Sequence, residues 1–256
     1  MSTKKIKIYQ LETTSKCSAT CSFCPHPTMA RQKEHMSLDT FKAIIDAMEN
    51  KYVALHHFGE PLLHPELPEF ITYANAQGKQ VEFSTNAHGL NMQKGGDDYL
   101  RRVLAAEPHR MRIAYDYFKP DEFLKKALTF NVSTVISMHA VEKGLLLDYK
   151  PLNNWAGQMP SLGDSEISGE CYFLKYKYYA AMQNGDIVPC CQDYEGKHVI
   201  GNIRDRDNLK PQESYDLCKT CSGMQFAKDG GWWAEVQADP KAGGETASKT
   251  NKEPTT

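Results

Sequence analysis

The chain predicts an α/β fold, a mostly parallel sheet with helices outside it, followed by a small hairpin-bearing unit. Three observations point there. Strand-like and helix-like stretches alternate from Ile6 to about Leu152. The eight cysteines split into one group at 17, 21 and 24 and a second at 171, 190, 191, 218 and 221. Asn184-Gly185, a strong hairpin turn, sits between two β-rich runs inside the second group.

In order, Ile6–Leu11 alternates as a first strand, and the first cysteine group follows its C-terminal end. Ser37 caps a helix with Asp39 in its first turn and an apolar stripe of Leu38, Phe41, Ile44, Ile45 and Met48. Tyr52–Phe58 reads as strand two, ending in Gly59-Glu60-Pro61. Helix Leu67–Ala76 and strand Gln80–Ser84, ending in Thr85-Asn86, come next. Then follow helix Asp97–Ala105, strand Met111–Tyr115, helix Pro120–Leu128, strand Val132–Met138 and a sixth strand at Leu145–Asp148. A complete eight-fold barrel takes about 250 residues, so units that end near residue 152 predict an incomplete one, a partial (β/α)6 barrel. In parallel barrels the C-terminal rim of the strands carries the chemistry. Beyond it, Tyr172–Met182 reads as a strand and Asp186–Cys191 as its returning partner, followed by Val199–Ile203 and Leu217–Cys221. The expected boundaries are 1–160 for the barrel and 161–236 for the second unit. A disordered tail is expected over 237–256, where large apolar residues almost vanish.

Composition narrows the function. The formal charge of −2 gives no electrostatic case for nucleic acid or an acidic membrane surface. No apolar run approaches the roughly 20 residues that span a bilayer. The N-terminus has no apolar stretch of the secretory kind. Many cysteines in such a chain argue for metal ligation in a reducing cytoplasm, not for disulfides.

The loop Glu12–Pro25 holds Cys17, Cys21 and Cys24 in the spacing C-x3-C-x2-C, with Phe23 before the last. Three thiolates on one loop leave one iron of a four-iron cluster without a protein ligand, open to a small molecule. Zinc would need a fourth ligand, and His26 is close by. Cys171, one of the adjacent Cys190 and Cys191 on the returning strand, and the distal pair Cys218 and Cys221 supply four thiolates, a closed set for a second [4Fe-4S] cluster or for zinc, and spacing does not choose between them.

The C-x3-C-x-aromatic-C motif resembles the radical S-adenosylmethionine (SAM) enzymes. The resemblance implies a [4Fe-4S] cluster on Cys17, Cys21 and Cys24 whose free iron is chelated by SAM, and a 5'-deoxyadenosyl radical that abstracts hydrogen from the substrate. Phe58-Gly59-Glu60-Pro61 resembles the family's glycine-glycine-glutamate-proline element with Phe58 for the first glycine; Gly59 and Glu60 would then help hold SAM, with Phe23. Ser84 and Asn86 stand where family members contact SAM after strand three; Asp116 after strand four would hold its ribose hydroxyls by charge-assisted bonds, and Ser137 after strand five is a further candidate, although each also reads as ordinary loop polarity. Trp155 in Asn153–Gly157 stands where an arginine is common. The phrases Asn-Gly-Asp-Ile-Val-Pro-Cys, Gly-Asn-Ile and Leu-Cys-Lys-Thr-Cys resemble the twitch domain, the short form of the SPASM extension. That implies an auxiliary [4Fe-4S] cluster on Cys171, Cys190, Cys218 and Cys221. Between the last two phrases the chain is shorter than in relatives.

The resemblance further implies a small-molecule substrate and a flavodoxin or ferredoxin reductant. Among twitch-bearing members the chain is similar to aminocyclitol dehydrogenases, which implies oxidation of a ring alcohol. Two alternatives stay open. A peptide-modifying member would usually carry a recognition module, for which no N-terminal extension is seen. A non-catalytic zinc protein would be colourless, where clusters give brown protein.

Overall fold

The computed structural model describes residues 3–21, 24–86, 96–114, 135–139, 141–142, 145–146, 158 and 171–221. Strands β1 (Lys7–Leu11), β2 (Tyr52–Ala54), β3 (Gln80–Thr85), β4 (Arg110–Ala114) and β5 (Val135–His139) pair in sequence order, all parallel. Helices α1 (Leu38–Ala47), α2 (Leu67–Ala76) and α3 (Gly96–Ala105) lie in the connections. The Ser37 hydroxyl accepts the Thr40 amide at 3.2 Å and starts α1. Phe41 of α1 stacks on Phe70 of α2 with ring centroids 4.1 Å apart. Ile8, Leu11, Val53, Val81, Phe83 and Met111 from the strands share one buried core with Ile44, Ile45, Ile71, Leu100 and Val103 from the helices. Each such side chain contributes about 1.5–3 kcal/mol by leaving water.

Two expectations are corrected. Leu145–Leu146 (β7) is no sixth strand of the parallel sheet. It pairs antiparallel with Val141–Glu142 (β6) in a separate ribbon. A parallel return needs a crossover of a dozen or more residues, and the link between these strands is far shorter. Tyr172–Met182 is not one strand. Cys171 is the N-cap of helix α4 (Tyr172–Tyr176), and Lys177 leaves it in the left-handed region at φ 54°. Only Tyr178–Ala181 (β8) is extended. The alternating aromatics that mimic a strand include an i,i+4 pair, Tyr172 and Tyr176, packed at 4.6 Å.

The next parallel strand after β5 in this sheet comes from the C-terminal region: β8 lies parallel beside β1, with Lys7 opposite Tyr178 and Leu11 opposite Ala181. Strands β9 (Asp186–Val188) and β10 (Gly201–Asn202) continue antiparallel, so the sheet order is β10-β9-β8-β1-β2-β3-β4-β5. The β8–β9 hairpin turns through Gln183–Gly185, with the Gly185 amide on the Met182 carbonyl at 2.9 Å and Gly185 at φ +87°. This is the longer loop type that ends in a left-handed glycine, not the tight two-residue turn expected for Asn184-Gly185. Strand β9 stops at Val188, because Pro189 has no amide to donate. Cys190 and Cys191 therefore sit in a bend just past the strand. The mixed α/β fold, with a parallel sheet and antiparallel hairpin strands, is consistent with a partial barrel.

Helix Pro120–Leu128, the Asn153–Gly157 stretch with Trp155, the Gly230–Trp233 stretch and the tail 237–256 lie outside the described residues. Among the described residues no helix is long and apolar enough to cross a membrane.

Candidate metal and cofactor centre

The segment that leaves β1, Glu12–Ser15, is polar yet buried. Buried backbone groups need partners, and here they find them on residues 34–36. The Ser15 amide donates to the Glu34 carbonyl at 2.9 Å, and the Met36 amide to the Thr13 carbonyl at 2.8 Å. The loop with Cys17, Cys21 and Cys24 is thus closed at its neck. All three thiols are half-buried. Burial raises the Cys17 thiol and pushes that of Cys24 up to about 12, and neighbouring thiols and Glu60 add repulsion. Desolvated, mutually repelling thiols are a donor set that a cationic iron centre would hold as thiolates.

The rim element after β2 packs directly on this loop. A Cβ on Gly59 would overlap the Thr14 carbonyl oxygen and lie 2.6 Å from its carbon and 3.0 Å from the Lys16 carbonyl oxygen. The Glu60 amide donates to that Lys16 carbonyl at 2.8 Å. The glycine is therefore needed for backbone-on-backbone approach. Glu60 is buried, which pushes its carboxyl up to about 7 against the donors that favour the charge. Its Oε1 accepts from the Thr85 hydroxyl at 2.5 Å and the Leu62 amide at 2.9 Å, and its Oε2 accepts from the Asn86 amide at 2.8 Å. Glu60 thus clips the end of β2 to the end of β3, and lone-pair capacity remains on Oε2. The Asn86 side-chain amide reaches the Cys17 sulfur at 3.6 Å. Cys17, Gly59, Glu60 and Asn86 come together at the C-terminal ends of β1, β2 and β3. The Ser84 amide donates to His56 Nδ1 at 3.1 Å. Ser137 pairs with Arg112 within the sheet. Its side chain, Phe23 and Asp116 lie outside the described residues.

Three members of the second cysteine set are buried, and Cys171 is half-buried. Cys190, Cys218 and Cys221 are buried in one apolar cluster with Tyr215 and Leu217. Burial raises the Cys171 thiol, at the start of α4, with repulsion from Cys218 adding to it, and burial raises the Cys190 thiol, with repulsion from Cys191, Cys221 and Cys171 adding to it. Cys191 packs elsewhere, against Tyr9, Val188 and Met182. Its amide donates to the Tyr9 hydroxyl at 2.5 Å. Among the described residues no three His, Cys, Asp or Glu side chains close in as they would around a single metal ion. Cys191→Ala is therefore expected to leave the iron content of purified protein unchanged, and Cys190→Ala to remove the second centre's share. The opposite pattern in an iron assay would reassign the ligand.

The sequence profile of the Radical SAM superfamily matches residues 11–143, a span that includes the cysteine loop and the rim elements. The chain belongs to the radical SAM superfamily. Membership implies a [4Fe-4S] cluster and SAM. Among curated relatives, the probable GTP 3',8-cyclase of Methanococcus maripaludis strain S2 is 23% identical over 89% of this chain and 84% of its own length. The S-adenosyl-L-methionine-dependent 2-deoxy-scyllo-inosamine dehydrogenase of Niallia circulans is 21% identical over 86% of this chain and 94% of its own. The crystal structure of BtrN in complex with AdoMet and 2-DOIA superposes with a TM-score of 0.61 at 18% identity. It covers 88% of this chain and 90% of that one, and so shares the fold.

Several residues that build this centre carry no sequence motif. Glu12, Arg31, His57, Thr85 and Gln183 all reach it through contacts between distant segments. A charged residue at the end of a buried strand, Glu12, is the one local signal that could have drawn attention.

Proposed function

We propose that this chain is a radical SAM oxidoreductase that removes hydrogen from the carbinol carbon of a small hydroxylated substrate, within a partial barrel completed by a twitch domain. Cys17, Cys21 and Cys24 hold the catalytic cluster, Gly59, Glu60 and Asn86 line the SAM side, and Cys171, Cys190, Cys218 and Cys221 hold an auxiliary [4Fe-4S] cluster. When bound, the first cluster and SAM supply a 5'-deoxyadenosyl radical. Oxidation of an alcohol to a ketone removes one hydrogen atom, one further electron and one proton. A cluster held by Cys17, Cys21 and Cys24 with SAM would supply the acceptor of the hydrogen atom, an oxidised cluster held by Cys171, Cys190, Cys218 and Cys221 would supply the acceptor of the electron, and the proton would pass to solvent. The residues of the chain orient SAM, keep the thiolates dry and hold the two cysteine sets on one sheet. The observation that carries the reading is the strand order: β9, which leads into the Cys190 bend, pairs with β8, and β8 lies directly beside β1, which leads into the Cys17 loop. The shared fold with BtrN and the full-length similarity to the Niallia circulans dehydrogenase add support. A flavodoxin or ferredoxin in a reducing cytoplasm would supply the electron that starts the reaction.

The similarity to a GTP 3',8-cyclase favours a second reading, rearrangement of a nucleotide without net oxidation. Reduced, cluster-loaded protein is incubated with SAM and either 2-deoxy-scyllo-inosamine or GTP. The dehydrogenase reading expects one 5'-deoxyadenosine per ketone formed from the aminocyclitol. Cyclised nucleotide, or a product at the oxidation level of its substrate, would replace it with the second reading. Colourless protein with stoichiometric zinc would overturn both.

A further inference from the structure

A buried seam joins the two cysteine-bearing segments, and neither cysteine motif contains it. Arg31 lies seven residues after Cys24. Its guanidinium reaches three separate segments. Nη2 donates to Glu12 Oε1 at 2.5 Å, Nη1 to Gln183 Oε1 at 2.8 Å and Nε to the Tyr194 carbonyl at 2.6 Å. Glu12 is fully buried at the end of β1, Gln183 is in the β8–β9 turn, and Tyr194 follows the Cys190 bend. The Glu195 carboxylate returns the contact by accepting the Ala30 amide at 3.0 Å and the Arg31 amide at 3.3 Å. Beside it, His57 Nε2 lies 2.9 Å from the Cys191 carbonyl oxygen, which can only accept, so that ring nitrogen carries the hydrogen. His57 is two residues before Gly59 and so belongs to the rim element that packs on the first loop. Met29, Phe58 and Tyr194 close the seam as an apolar cluster against which Cys24 packs.

The geometry points to Arg31 as the positioning residue that sets the auxiliary-cluster segment in register with the catalytic cysteine loop. The planar fork matters here as well as the charge. A guanidinium presents rigidly spaced donors, and three of them are spent on three chain segments more than 150 residues apart at their extremes. A lysine at this position could answer Glu12 but could not bridge to Gln183 and to the Tyr194 carbonyl at once. Arg31 touches neither thiol set, so it acts through the distance and orientation of the two centres. The inference rests on the two-cluster reading above.

The test uses full-length protein loaded with iron and sulfide, reduced with dithionite and examined by EPR, without substrate. In wild-type protein two reduced clusters relax each other, which shows as resistance to microwave saturation. Arg31→Lys and the milder Glu195→Gln are expected to keep full iron and the individual g-values. Mutual relaxation should weaken several-fold in Arg31→Lys and less in Glu195→Gln. A purely structural role would lower iron content and leave the interaction of the remaining loaded protein unchanged. Full iron with wild-type saturation behaviour in both variants overturns the inference. If Arg31→Lys fails to load, Glu195→Gln decides alone, and wild-type behaviour there overturns it equally. Wild-type protein with iron and spectrum of a single cluster overturns the auxiliary-cluster reading and this inference with it.

Discussion

Replacing Cys17, Cys21 and Cys24 together with Ala is expected to abolish SAM cleavage while leaving roughly half of the iron and a single cluster signal. The half-buried loop that carries them closes at its own neck, through the pairing of Thr13–Ser15 with residues 34–36, and not through the thiols. The scaffold should therefore survive their loss. The second cysteine set is carried by other segments of the chain, with Cys190, Cys218 and Cys221 buried together with Tyr215 and Leu217 in the common core. SAM needs an iron without a protein ligand, and only a three-cysteine set leaves one open. Reverse-phase chromatography of 5'-deoxyadenosine after dithionite reduction, alongside an iron assay, reads both outcomes. Undiminished cleavage in the triple variant would remove the catalytic assignment of this loop. Loss of all iron would mean that the second set does not assemble a cluster by itself.

Gly59→Ala is expected to be nearly as damaging, for a reason that involves no ligand. The added methyl meets the carbonyl groups of Thr14 and Lys16, which are backbone and cannot swing aside as a side chain can. Overpacking in a tight core costs about 1–3 kcal/mol, and backbone on backbone lies at the upper end of that range. Relief requires the rim element to move off the cysteine loop. That movement breaks the Glu60 amide bond to Lys16 and draws the Glu60 carboxylate away from Thr85 and Asn86. The variant should unfold at lower denaturant concentration and bind SAM at least about tenfold more weakly, the equivalent of 1.4 kcal/mol. Equilibrium unfolding and SAM titration of the cluster-loaded protein measure the two effects. Wild-type stability together with wild-type SAM affinity would show that the loop yields freely, against the packing described here.

How much of this was legible beforehand differs by element. The helix at Leu38–Ala47 was readable from Ser37 and its apolar stripe, because capping and 3.6-residue periodicity are local. The C-x3-C-x2-C loop was readable for the same reason: three ligands within eight residues are a local pattern. The aromatic stretch after Cys171 misled, since a helical i,i+4 ring pair and a period-two strand look alike over so few residues. Leu145–Leu146 misled because apolar strand character says nothing of its partner.

Residue type and spacing alone determined the chemistry this chain can do: two cysteine sets, a glycine-glutamate rim and alternating strands and helices. Tertiary structure decided how those parts meet. It put β8 beside β1, aimed Arg31 at Glu12, Gln183 and Tyr194, turned Glu60 into a clip between β2 and β3, and separated Cys190 from Cys191 by the clusters they pack in. The physical reason is the reach of each interaction. Caps, turns and ligand spacing act over a few residues and leave a written pattern, whereas strand pairing and buried ion pairs join residues far apart in the chain. The local sequence at either end of such a contact holds no record of the other.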